Sequence, residues 1–284
     1  MNEILSLLTK ISLIVFMAGN LLMMGLKLNP KDAVRGLQNL RFVAYTLLWG
    51  FVLGPALAYG ITEVIPLEQH YAIGLLLMGM APCAPFLPML VKKANGDPGY
   101  TASFMLLVAV VTVIYMPFAV PVMVKGLTVS AWKIARPLLV VVILPMATGM
   151  AILYASSAFA ARLEPIVKKI TRIFTFALII LTGIVYGKEM LGVAGSLAIA
   201  SQLIFFFILA AFSYLLGFGL KNNQKVVLSI GMTTRNIGIA LVPIISGAGM
   251  DQRSTIMVVL GFPIMTIAAM LAAKGFAHST KQEG

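Results

Sequence analysis

The stretch FMLLVAVVTVIYMPFAVPVM, residues 104–123, runs for twenty residues without a charge. It is one of a series. Nearly continuous apolar runs of about 20 residues recur along the chain, the length a helix needs to cross a hydrocarbon core about 30 Å thick. In lipid each run must be a helix, because every backbone N–H and C=O needs a partner within the chain. Composition agrees: 60% of the 284 residues are hydrophobic and 11% charged, against about 25% charged in a soluble domain. The expected class is an all-α polytopic membrane protein forming a single membrane domain over residues 1–284, with no soluble domain left over. A lone cysteine, Cys83, excludes a disulfide framework or a multi-cysteine metal site within one chain. The net charge of +12 reads as basic loops on one side of a membrane, not as a nucleic-acid surface.

Nine spans are expected, at 4–28, 40–62, 70–94, 100–124, 136–157, 171–190, 193–219, 224–248 and 253–274. The opening stretch reads as the first span and not as a leader: its start is not strongly basic and its apolar part is too long for an h-region. Turn formers such as NPKD at 29–32 and NGDPG at 95–99 join the spans. With this topology fourteen Lys and Arg residues fall on one side and five on the other, while Lys10 and Arg235 lie within spans. The positive-inside rule then puts the amino terminus outside and the carboxyl terminus in the cytoplasm; the membrane expected is an inner (plasma) membrane.

All nine acidic residues fall in loops or at span ends, and both histidines, His70 and His278, are marginal. Acid–base or nucleophilic catalysis needs paired carboxylates, or a base beside a nucleophile, at one depth. Neither is present, so an enzyme is not expected. The same absence argues against a proton relay of buried Asp, Glu or His.

Two spans look broken. In YAIGLLLMGMAPCAPFLPMLVKK the prolines Pro82, Pro85 and Pro88 each remove an amide donor and obstruct the preceding turn. This is either a proline-kinked packing helix or a discontinuous helix facing a cavity. The eighth span offers Gly231, Thr233, Thr234, Arg235, Asn236 and Gly238, small or polar groups able to serve an unwound backbone. Each break is in the middle helix of a three-helix group, and the two helices run in opposite directions. Interrupted helices so placed mark an inverted repeat with its binding site near the midplane. The core would be 40–62, 70–94, 100–124, 193–219, 224–248 and 253–274, and the panel 4–28, 136–157 and 171–190.

Over essentially its whole length the chain resembles the bile acid:sodium symporter family. The matching stretches are MGLKLNPKD (24–32), MAPCAPFLPMLVKKANGDPGYTASF (80–104), YLLGFGL (214–220) and TRNIGIAL (234–241). The resemblance implies nine helices, against ten in bacterial members, with the first of those ten missing. The resemblance implies a core and a panel domain, two broken helices crossing in the core, and alternating access for organic anions such as bile acids or smaller carboxylates. It also implies sodium, but the usual ligands are replaced. Where sodium-coupled members carry Gly-Thr-Ala-Ser-Asn, this chain has Ala84, Pro85, Phe86, Leu87 and Pro88. Their Glu and Gln of the second crossing match Gly231 and Arg235.

A mid-membrane arginine costs about 2.5–3.5 kcal/mol on insertion scales and needs partners. No span offers a carboxylate, so Arg235 is expected either to hold an anionic substrate with its planar fork or to cap carbonyls freed by the break. The amino ends of the half-helices, such as the stretch from Pro85 and Phe86, would add partial positive charge. The expected substrate site is Arg235, Asn236, Thr233, Thr234, Cys83, Ala84, Pro85 and Phe86. Cys83 fills a tight crossing or offers a reactive thiol. Lys10 is read as snorkelling outward, and Gln202 and Ser201 as interhelical hydrogen-bonding groups. The function expected is secondary transport of a small organic anion across the bilayer. A channel or facilitator, and a non-transporting receptor, are the other classes. Oligomeric state is not readable from the sequence.

Overall fold

A computed structural model describes residues 3–28, 34, 36–124, 130–245 and 250–279. The turn 29–33, much of the link after the fourth span, the segment after Ile245 and the last five residues, with their sequence-based assignments, lie outside the described residues. Eleven helices are delimited among the described residues: α1 (Glu3–Lys27), α2 (Leu40–Val64), α3 (Gln69–Gly79), α4 (Leu87–Lys93), α5 (Pro98–Met123), α6 (Ala131–Ala155), α7 (Ser157–Gly192), α8 (Ala198–Leu215), α9 (Asn222–Thr233), α10 (Ile237–Ile245) and α11 (Ser254–Ser279). Seven of them, α1, α2, α5, α6, α7, α8 and α11, are long and apolar enough to cross a membrane. The other four form two consecutive pairs, α3 with α4 and α9 with α10, each interrupted in the middle.

Local sequence explains the shapes. In α2 and α6 a π-helical turn, Trp49–Leu53 and Leu139–Ile143, stands immediately before Gly54-Pro55 and Leu144-Pro145. A proline has no N–H and presses on the carbonyl four residues back. Widening that turn keeps the ladder going, with Gly54 donating to Trp49 and Leu144 to Leu139. The NGDPG turn ends in a cap: the Asp97 carboxylate accepts from Gly99 and Tyr100 N–H at 2.8 and 3.1 Å, opening α5.

Packing falls into two groups. Helix α1 lies along α6 and α7, while α8 packs on α9 and α11, and α11 on α3. Small residues set the closest approach. A Cβ on Gly25 would fall 2.1 Å from the Met146 carbonyl, and one on Gly149 would fall 2.5 Å from that of Leu22. Without a hydrophobic drive between helices in lipid, such backbone proximity is what gives α1 and α6 their contact.

Helix α7 extends beyond the expected span. A span at 171–190 was expected, and the helix starts at Ser157. The helix is kinked at Tyr186, where φ is -117° and ψ 17°; at 1.5 Å per residue the stretch before the kink alone is about 43 Å long, well beyond the core thickness. The exposed Arg162, Lys168, Lys169 and Arg172 lie on its first turns. Charge there does not end the helix. Similarly α11 continues to Ser279, and the expected 193–219 span narrows to Ala198–Leu215 behind a 3-10 turn.

Candidate functional site

The breaks in α3–α4 and α9–α10 meet. Helix α3 ends at Gly79, and α4 starts only at Leu87, with Pro88 in its first turn. Between them Pro82 pairs with Arg235 in an isolated antiparallel β-bridge. Cys83 N–H donates to the Thr234 carbonyl and Asn236 N–H to the Ala81 carbonyl, both at 2.8 Å. Ala84 N–H reaches the Thr234 hydroxyl at 3.3 Å, and that hydroxyl donates back to the Ile230 and Gly231 carbonyls at 3.0 and 3.2 Å. Cys83 takes a left-handed conformation, φ 74°. Buried backbone polar groups must be paired, and here each broken helix supplies the other's partners.

Side chains finish the joint. The Asn236 side-chain oxygen Oδ1 accepts from Ile239 N–H at 3.1 Å and caps α10, while the Thr233 hydroxyl donates to the Ser229 carbonyl at 2.7 Å within α9. Arg235 has no solvent exposure. Its Nη1 donates to the Gly79 carbonyl at 3.2 Å, the C-terminal carbonyl of α3, and its Cζ lies 5.1 Å from the centre of the Phe205 ring. Gly54 makes room for it: a Cβ there would lie 3.3 Å from Nη2. Nε and Nη2 are buried without a hydrogen-bond partner among the described residues.

Three cavities follow one face of α1. A cavity of about 330 Å³ touches Thr9, Lys10, Leu13, Tyr186 and Gln252. A central one of about 90 Å³ touches Phe16, Met17, Asn20, Thr175, Phe262 and Met265 together with the crossing. The third, about 440 Å³, touches Met23, Met24, Lys27, Lys92 and Met105. Pro85 lines both the second and the third, whereas the first shares no lining residue with the central one. Lys27 also forms an ion pair with Glu164 at 2.7 Å, joining α1 to α7.

Of the residues expected at the site, Ala84, Pro85, Phe86, Arg235 and Asn236 line the central cavity. Thr233, Thr234 and Cys83 do not; they hold the crossing together. The groups around the guanidinium (Gly79, Gly54 and Phe205) are not cavity-lining, so the head of Arg235 turns from the cavity into the helix packing. Sequence reasoning missed Phe16, Asn20, Thr175, Phe262 and Met265. One signal was available: Lys10, Leu13, Met17, Asn20, Met24 and Lys27 repeat every three or four residues, placing Lys10, Asn20 and Lys27 on a single helical face of α1.

The family model described as the sodium bile acid symporter family matches residues 11–192. No curated protein matches the chain significantly. The residues present do not fit a sodium ion at the positions where the resemblance places one. A ligand at position 231 has no room, since a Cβ on Gly231 would fall 2.5 Å from the Phe104 ring. Ala84 to Pro88 offer no side-chain oxygen, and position 235 brings a cation.

Proposed function

The chain belongs to the sodium bile acid symporter family, a family of transporters and not enzymes, and we propose that it carries a small organic anion by alternating access without sodium. It is a multi-pass membrane protein. Counting α3–α4 and α9–α10 as one crossing each gives nine spans, with α1, α6 and α7 as the panel and the rest as the core. Both broken helices are then central in their groups of three, and they run in opposite directions, as in an inverted repeat.

The observation that carries the reading is the row of cavities between α1 and the crossing, with Lys10 at one end and Lys27 and Lys92 at the other. Irregular backbone at membrane depth is tolerated where it lines a cavity. The central cavity suits an anionic head. Asn20, Thr175 and Asn236 supply polar groups, and the amino end of α10 adds partial positive charge. Arg235 acts from behind the wall. Two unit charges about 7 Å apart at an effective dielectric constant of about 20 attract by roughly 2 kcal/mol, so direct contact is not required. Phe16, Phe86 and Phe262 receive the apolar tail. Pro85 lines both the central cavity and the one at Lys27, the end that the positive-inside rule assigns to the cytoplasm.

The test is uptake by the purified protein in liposomes, using labelled pyruvate, 4-methyl-2-oxopentanoate and taurocholate, in sodium and in choline media. Uptake of at least one anion at equal rates in both media is expected. Uptake only in sodium contradicts sodium independence. Binding without uptake favours a receptor, and flux that does not saturate favours a channel.

A further inference from the structure

We infer that the protein is a one-for-one exchanger of monovalent anions, because Arg235 is a fixed cation that only a bound anion neutralises. This rests on the transport reading above. The guanidinium is wholly buried. It has one carbonyl and one aromatic face as partners, and two of its three nitrogens lack a hydrogen bond among the described residues. No carboxylate among the described residues pairs with it, and the sequence places every acidic side chain in loops or at span ends. No side chain at the positions where the resemblance places a sodium ion can hold a mobile cation to supplement it, since Phe104 fills the space at Gly231 and residues 84–88 offer no side-chain oxygen. The crossing therefore carries one positive charge when empty and none when it holds a monoanion in the neighbouring cavity, which Arg235 and Asn236 line.

Alternating access requires the binding site to change its exposure from one side of the bilayer to the other. Moving an unpaired charge through a low-dielectric barrier is penalised, and moving a neutral pair is not. The loaded protein reorients quickly and the empty protein slowly. Net influx must wait for the empty return, whereas exchange skips it. Charge balances in each cycle: one monoanion enters, one leaves, and the protein regains its starting charge. A dianion would leave the loaded crossing negative, so monocarboxylates are favoured over dicarboxylates such as succinate.

The experiment uses the full chain in liposomes with the best-transported anion of the panel above, labelled outside, and either buffer alone or the same unlabelled anion inside. Influx about ten-fold faster or more with the anion inside is expected, equivalent to a barrier difference of about 1.4 kcal/mol. The exchange rate should not respond to a potassium–valinomycin potential. Arg235→Gln should raise influx into empty liposomes relative to exchange and narrow the ratio. Equal influx into empty and loaded liposomes, or exchange driven by the potential, overturns the inference while leaving the transport reading intact. Absence of uptake for the whole panel, under either luminal condition, overturns the transport reading itself. If Arg235→Gln does not fold, the wild-type ratio decides alone.

Discussion

Pro82 and Arg235 stand opposite one another as an antiparallel pair at the point where two helices have both come apart. A proline cannot donate to a ladder, and here it does not have to. The bonds are made on either side of it, by Cys83 N–H and by the Ala81 carbonyl. Proline at 82 thus ends α3 without leaving the crossing unsatisfied.

Thr234 is the joint's side-chain fastener, accepting from Ala84 N–H. Thr234→Val removes that acceptor and buries an unpaired amide, at a cost of about 1–3 kcal/mol. Thr234→Ser retains it. Thermal unfolding in detergent should rank wild type and Thr234→Ser above Thr234→Val.

Cys83 inverts the usual ranking of small core substitutions. At φ 74° any residue with a Cβ is strained, by about 1–2 kcal/mol, and glycine is not. Cys83→Gly should be more stable than Cys83→Ala in the same unfolding assay.

Gly231 and Phe104 are matched in shape. Gly231→Ala places a methyl 2.5 Å from ring carbons, and overpacking of this kind costs about 1–3 kcal/mol. Phe104→Leu in the same chain should recover most of the loss, giving a coupled double-mutant cycle.

Asp251, in the connection before α11, is held below the usual carboxylate range first by its side-chain hydrogen bond from Arg253. A depressed folded pKa contributes stability that is present above the ordinary Asp value, about 3.9, and disappears as pH falls through the folded value. Unfolding temperature should therefore drop on acidification below about pH 4, and Asp251→Asn should flatten that part of the profile.

The breaks were legible because proline and a polar cluster in an apolar run have local consequences. The seven long helices were legible because lipid allows little else. The cavity wall from α1, α7 and α11 was not, because Asn20, Thr175 and Met265 become site residues only once the docking faces are set. The start of α7 was not legible because Arg162, Lys168 and Lys169 bear on lipid depth, and a helix is free to extend past it. The direction of the Arg235 head was also hidden. It depends on the room left by Gly54 and the ring of Phe205, which come from other helices.

The most direct measurement of the anion path is the accessibility of position 20. Asn20→Cys, in a chain whose own cysteine is replaced by Cys83→Ala, is treated in right-side-out and inside-out vesicles with a membrane-impermeant thiol reagent. Modification from the Lys27 side, slowed by the transported anion and accompanied by loss of uptake, is the expected result. A thiol that reacts from neither side, or at a rate the anion leaves unchanged, would contradict an anion path between α1 and the crossing.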